Sequence, residues 1–135
     1  MIHIDTDVLV DVVEDRRPFS EASTRFLDLI STGAEPACVA WHTISNLHYV
    51  AKPRPQYPDI RSFIENLVRL VTVVPTSNTD VLQALRLNMS DFEDAMQVAA
   101  AIAAGARLIV TRDLDDYRNS PIRAISPSQA VAELS

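Results

Sequence analysis

Apolar positions fall into short runs and helical stripes that alternate along the chain. Met1-Ile2-His3-Ile4 is a short apolar run that leads straight into two carboxylates, Asp5 and Asp7. Val8, Leu9, Val12 and Val13 then mark one side of a short helix over 7–14, broken before Pro18. Ala22, Phe26, Leu27, Leu29 and Ile30 predict a helix over 21–30, with Ser20 as its N-cap and Gly33 as its stop. A second strand over 37–40 precedes a helix over 41–51. Pro53, Pro55 and Pro58 form a Pro-rich loop too short to link domains. Ile60, Phe63, Ile64, Leu67 and Val68 give a clear amphipathic helix over 60–70, running into the β-branched stretch 71–74 that Pro75 ends. A helix over 79–87 is expected to turn Val81, Leu82 and Leu85 inward.

Ser90-Asp91-Phe92-Glu93 reads as a capping box opening a long Ala-rich helix to Ala104, with Gly105 as its stop. A buried strand over 107–110, the polar segment Thr111–Tyr117 and a last strand over 122–125 follow. Ser126-Pro127 then caps a terminal helix with proline at its first position. Short apolar strands alternating with helices predict an α/β fold. The expected architecture is a single-domain three-layer α/β/α arrangement over 1–135 with a short central parallel sheet.

Composition narrows this picture. A hydrophobic content of 47% and a charged content of 22% are those of an ordinary globular chain. Cys38 is the only cysteine, which excludes a disulfide framework and a multi-cysteine zinc site and fits a reducing cytoplasm. The N-terminus lacks the basic and apolar regions of a signal peptide. No apolar run approaches the roughly 18 residues of a membrane span. The net charge of −6 disfavours broad nucleic-acid binding through a basic field but not a nuclease, whose acidic site itself adds negative charge. Lys52 is the only lysine, and the arginines 16, 17, 112 and 118 are the candidates for phosphate contacts.

The candidate chemistry lies in three groups of carboxylates. Asp5 and Asp7 follow the first strand, Asp91 and Asp94 open the long helix, and Asp113, Asp115 and Asp116 follow the strand over 107–110. If the first and fourth strands are neighbours, their carboxyl ends share one crevice, where open α/β sheets bind ligands. Convergent aspartates are what a hard divalent cation needs, and such a cation activates water and offsets phosphodiester charge. Asp94 is the last charge before a helix that reads as buried nearly all round, which favours function over structure there, and Asp113 at the end of a buried strand is weighed the same way. Asp91 and Glu93 have simpler readings as helix-start residues. Asp115 reads as a solvated loop residue, Asp116 as ligand or loop-fixing residue equally, and Asp11 as a surface or supporting residue. His3 reads as a satisfied buried histidine, and His42 and His48 lack zinc spacing.

Taken together, these segments resemble the PIN-domain family. Ile4-Asp5-Thr6-Asp7-Val8-Leu9 is similar to its Asp-Thr-Asn-Val-Leu opening, Asp91-Phe92-Glu93-Asp94-Ala95-Met96-Gln97 to its central acidic helix, and Ile109–Tyr117 to its Val-Thr-Arg-Asn-x-x-Asp-Phe segment. Ile125-Ser126-Pro127 resembles the usual close. The resemblance implies a Mg²⁺- or Mn²⁺-dependent ribonuclease. It also implies a VapC-like toxin with RNA as substrate, a cognate antitoxin as partner and a homodimeric state. By position it makes Asp5, Asp94 and Asp113 metal-holding residues and adds Asp116 to the catalytic set. Asp7, Asn46, Asp91 and Thr111 are then the supporting residues around the metal.

One departure stands out. The family usually carries Glu in the helix after the second strand, where this chain has Asn46, and Asp7 is a candidate to restore that acid. Two other readings compete. Asp5-Thr6-Asp7-Val8 also fits the opening of haloacid-dehalogenase-type phosphatases, with Asp5 as nucleophile and Lys52 as the only available lysine. Alternatively, Asn46 marks a degenerate, non-catalytic binding module.

Overall fold

The computed structural model describes residues 1–51 and 59–135. The Pro-rich loop, with Lys52, Pro53, Pro55 and Pro58, lies outside the described residues. Five parallel strands, β1 (Ile2–Ile4), β2 (Ala37–Val39), β3 (Thr72–Val73), β4 (Leu108–Val110) and β5 (Ala124–Ile125), form one sheet in the order β3-β2-β1-β4-β5. The chain lays β2 and β3 on one side of β1, then returns to place β4 and β5 on the other. The strand order therefore reverses between β1 and β4, and the crevice at their carboxyl ends is the ligand position of such sheets.

Side-chain alternation along the strands builds the two outer layers. Ile2, Ile4, Val39 and Val110 face α1 (Thr6–Val13), α2 (Phe19–Ser31), α3 (Trp41–Val50), α4 (Ile60–Leu70) and α7 (Pro127–Leu134), burying Leu9, Phe26, Leu47 and Phe63 among them. Cys38 and Ile109 face the other way, onto Val98, Ala100 and Ala101 of α6 (Phe92–Ala104). α5 (Asn78–Arg86) packs on α6 from outside. Gly105 ends α6 at φ +69°, a left-handed backbone that glycine adopts without the steric cost of a Cβ. Ser126 and Gln129 form the capping box of α7, with Pro127 at its start. Among the described residues no helix is long and apolar enough to cross a membrane.

Several local expectations are corrected. α2 starts at Phe19, and the Ser20 hydroxyl donates to Asp15 (2.7 Å) instead of capping the helix. The cap of α6 is Asp91, one residue after Ser90, so Glu93 is not a capping-box partner. Val81, Leu82 and Leu85 of α5 are exposed, and only Ala84 on that helix is buried, because a single face of small residues meets α6. β3 is a two-residue strand whose Thr72 is exposed, shorter than the run 71–74 suggested.

The amino ends of β1 and β4 are clipped by charge. Glu35 lies between Arg107 (Nε to Oε2, 2.9 Å) and the Met1 amine (2.9 Å). The Arg107 hydrogen bonds hold the Glu35 carboxyl down at about 2, against an ordinary 4.5, with the amine adding to them and burial opposing. A carboxyl depressed by folding stabilises the native state above its unfolded value and loses that contribution as pH falls through its folded value. Glu35→Gln is therefore expected to lower the melting temperature near neutral pH, and thermal melts at successive pH values should show its deficit shrinking between pH 4.5 and 2.

Candidate active site

Asp5 stands at the carboxyl end of β1, where its N–H continues the ladder to the Val110 carbonyl (3.0 Å). It is the N-cap of α1, its Oδ1 accepting from the Thr6 N–H at 2.7 Å. Oδ2 accepts from the Thr111 hydroxyl (2.8 Å) and the Tyr117 hydroxyl (2.9 Å). Thr111 directly follows the neighbouring strand β4, and Tyr117 is swung inward by the 3₁₀ turn Leu114–Tyr117. The Tyr117 hydroxyl also lies 3.4 Å from Oδ1 of Asp94, so one buried phenol spans two carboxylates from distant parts of the chain.

Asp94 is set by its own helix start. Its N–H donates to the Asp91 carboxylate (3.0 Å), which fixes the first turn of α6 and turns Asp94 inward. Asp7, in the first turn of α1, accepts from the Arg112 N–H (3.1 Å) through Oδ2. Its Oδ1 is buried with no hydrogen-bond partner. Arg112 is locked from behind: its guanidinium pairs with fully buried Asp11 (2.7 Å) and stacks on the Phe19 ring at 4.4 Å. Of the two readings of Asp11, surface or supporting, the buried pair with Arg112 fits the supporting one, whereas one expectation changes: Arg112 is an internal strut and not a free phosphate contact.

The sequence-predicted residues come together unevenly. Asp5, Asp7, Asn46, Asp94 and exposed Asp113 line one open cleft of about 360 Å³, with Arg16 at its edge. Thr111 and Asp91 support it from below through the bonds already described. Asp116 is exposed on the 3₁₀ turn and does not line the cleft. Sequence reasoning missed Glu93, which does line it, and Tyr117, whose position before Arg118 and after a run of acids resembles any aromatic closing a turn. It also missed Gln97, which is fully buried and bonded on all sides. The signal that could have found Gln97 was a lone amide in an otherwise alanine-rich buried helix.

The electrostatics are those of crowded acids. Burial pushes the Asp5 carboxyl up, and neighbouring Glu93 adds to this against the donors Thr111, Tyr117 and Thr6. Burial likewise raises Asp7, with Asp5 and Asp113 as the next contributors. Asp94 is raised by burial and then by Asp91 and Asp5. Burial also pushes up Glu93, but hydrogen bonds from His42 and Gln97 outweigh it and hold this carboxyl below its usual range. The Tyr117 phenol is raised by burial and by Asp5 and Asp94, which keeps it a donor. Oxygen donors of one sign, an orphaned Asp7 oxygen and repulsion that a cation would relieve together fit a hard divalent ion.

Residues 2–115 match the PIN domain family. Ribonuclease VapC1 of Aquifex aeolicus is 23% identical over 121 residues, covering 86% of this chain and 83% of that protein. Among solved structures, VapBC2 from Rickettsia felis bound to a promoter DNA fragment matches with a TM-score of 0.69 at 14% identity, covering 93% of this chain and 98% of that one. DNA-bound VapBC from Salmonella typhimurium matches with a TM-score of 0.69 at 14% identity, covering 93% and 97% of the two chains.

A carboxyl raised by folding costs stability as pH rises above its unfolded value, because the native state holds the proton longer. Asp7 rises from 3.8 to about 8, so that cost grows across this interval. Asp7→Asn keeps an acceptor for the Arg112 N–H and removes the charge. In the presence of chelator it is expected to melt above the wild-type chain at pH 8, with the gap closing toward pH 4 in parallel melts.

Proposed function

The chain belongs to the PIN domain family, and from that premise we propose that it is an endoribonuclease that cleaves RNA phosphodiesters with Mg²⁺ or Mn²⁺. The observation that carries this reading is the convergence of Asp5 and Asp94 on one buried Tyr117 hydroxyl, beside Asp7, at the reversal point of the sheet. Asp5 and Asp94 would hold the ion, with Asp113 completing the set from the cleft edge. Bound there, the ion supplies an activated water and offsets phosphodiester charge.

The protein's own residues prepare that site. Thr111 and Tyr117 hold Asp5 Oδ2 in one orientation, and Asp91 holds Asp94 through the helix start. Tyr117 keeps its proton beside these acids and so serves as a fixed donor, not a base. Arg16 is the basic residue among the described residues lining the cleft and would be a phosphate contact there, although Glu14 pairs with it at 2.8 Å. With a net charge of −6 and an acidic cleft, polyanionic RNA is repelled unless a cation neutralises the site.

The similarity to Ribonuclease VapC1 and to VapBC assemblies supports a toxin role in the cytoplasm with a cognate antitoxin protein as partner. Exposed Trp41, Val81, Leu82 and Leu85 support a homodimer. Trp41 and Val81 line one hollow, and such exposed apolar clusters mark interfaces. Membership of the PIN family sets aside the phosphatase reading, in which Asp5 would be a free nucleophile.

Incubation of a mixed RNA pool with Mn²⁺ or Mg²⁺ tests the activity. Asp5→Asn and Asp94→Asn are each expected to lower cleavage on the order of a hundredfold or more, the scale of losing a preorganised electrostatic group. Cleavage that survives both substitutions removes the proposal, and a wild-type chain that binds Mn²⁺ without cleaving fits the non-catalytic module. Light scattering on a sizing column tests the dimer: a Trp41→Ala, Leu85→Glu double variant is expected to run as a monomer where the wild type runs at twice the mass.

A further inference from the structure

Resting on the reading of the cleft as a divalent-ion site, we propose that Glu93 is a metal-holding carboxylate of that site, in place of a charge that neutral Asn46 does not bring. The cap of α6 is Asp91, so Glu93 does not cap the helix; the helix dipole favours an acid in this first turn but does not by itself turn the side chain toward the cleft. Its side chain lines the same cleft as Asp5, Asn46 and Asp94. Oxygens of Asp91, Glu93 and Asp94 lie within 4.8 Å of one another, close enough to share one small cation. Of the three, Asp91 already spends an oxygen on the Asp94 N–H.

Glu93 is held there by a purpose-built set of donors. A single oxygen, Oε1, accepts from Gln97 Nε2 (2.9 Å) and His42 Nε2 (3.0 Å). A carboxylate offers about four lone-pair positions, so two donors on one oxygen leave acceptor capacity over. Gln97 cannot turn its amide around. Its Oε1 takes the His3 ring Nε2–H at 2.6 Å from β1, and its Nε2 faces the Glu93 carboxylate, which accepts only. Oε1 against the histidine and Nε2 against the acid is the one orientation that suits both ends. That network runs from the middle of the sheet to Glu93 and is fully buried at Gln97 and His3. A surface ion pair between His42 and Glu93 would not require it.

Asp7 also lines the cleft, tied to the Arg112 N–H through Oδ2 and with Oδ1 unpartnered, so Glu93 stands beside it as a further acid and not in its place. Glu93 adjoins Asp94 directly in the chain and lines the cleft together with it and with Asp5.

Calorimetric titration of the full chain with Mn²⁺ alone, with no RNA present, tests this. Glu93→Gln keeps an oxygen acceptor for His42 and Gln97 and removes only the charge. It is expected to weaken Mn²⁺ binding roughly 10- to 100-fold, the scale seen when a group supporting a metal site is lost, while the thermal melt in chelator does not fall. Asp5→Asn serves as the reference variant and is expected to bind more weakly than wild type. Wild-type affinity in Glu93→Gln beside weakened Asp5→Asn overturns the role of Glu93 and leaves the cleft reading standing. Wild-type affinity in both variants, or no Mn²⁺ binding by the wild-type chain, overturns the cleft reading itself. A collapsed melt in Glu93→Gln assigns the residue to the fold and overturns the proposal.

Discussion

Like charges packed into one poorly solvated crevice are the constraint that the rest of the structure answers. Asp5, Asp7, Asp94 and Glu93 share a cleft where water cannot screen them fully, and burial raises the first three carboxyls while hydrogen bonds, together with the charge of His42, keep Glu93 low against its own burial. Such an arrangement persists only if the surroundings hold each acid in place. Thr6, Thr111 and Tyr117 do so for Asp5, Asp91 for Asp94, and His42 with Gln97 for Glu93. Oδ1 of Asp7, buried and without a partner, lies in the same place. A site that is costly to assemble and relieved by positive charge matches the chemistry of cation-assisted phosphodiester cleavage.

The sheet makes that assembly possible. Because β1 and β4 are neighbours, Asp5 and Thr111 meet although 106 residues separate them in sequence. The segment after β4 is then braced from α1, through the buried Asp11–Arg112 pair and the Arg112 N–H on Asp7. Arg112 shows how burial redirects a residue. Its charge, which on a surface would suit a phosphate, is consumed internally because Asp11 beneath it is fully buried and needs a partner.

Legibility varied with how local the controlling physics was. Asp94 stood out in sequence because an acid opening an alanine-rich helix has few structural excuses, and it is buried. Glu93, one position earlier, was hidden by an equally good local explanation, the capping box, which shifted by one residue when Asp91 took the cap. Helix ends are settled by small energies, and a neighbouring carboxylate is as good a cap as serine. Val81, Leu82 and Leu85 misled for a different reason: helical spacing shows that a face is apolar but not whether another element covers it. Asp116 followed the order of the family motif, yet a single turn of 3₁₀ helix placed Tyr117 inside and Asp116 outside.

Alternating strands and helices, the end of α6 at Gly105, the start of α7 at Ser126-Pro127 and the acids that follow the strands were all decided within short stretches of chain. Periodicity, capping and backbone preference act over a few residues, so they are written in the sequence directly. The meeting of Asp5 with Tyr117, the lock of Arg112 on Asp11 and the bond from His3 to Gln97 were decided only by the folded sheet and its packed helices. They join residues about 100 positions apart on average. No local preference encodes such contacts; they exist because strand order and burial bring those side chains into one crevice and leave each with a single compatible partner.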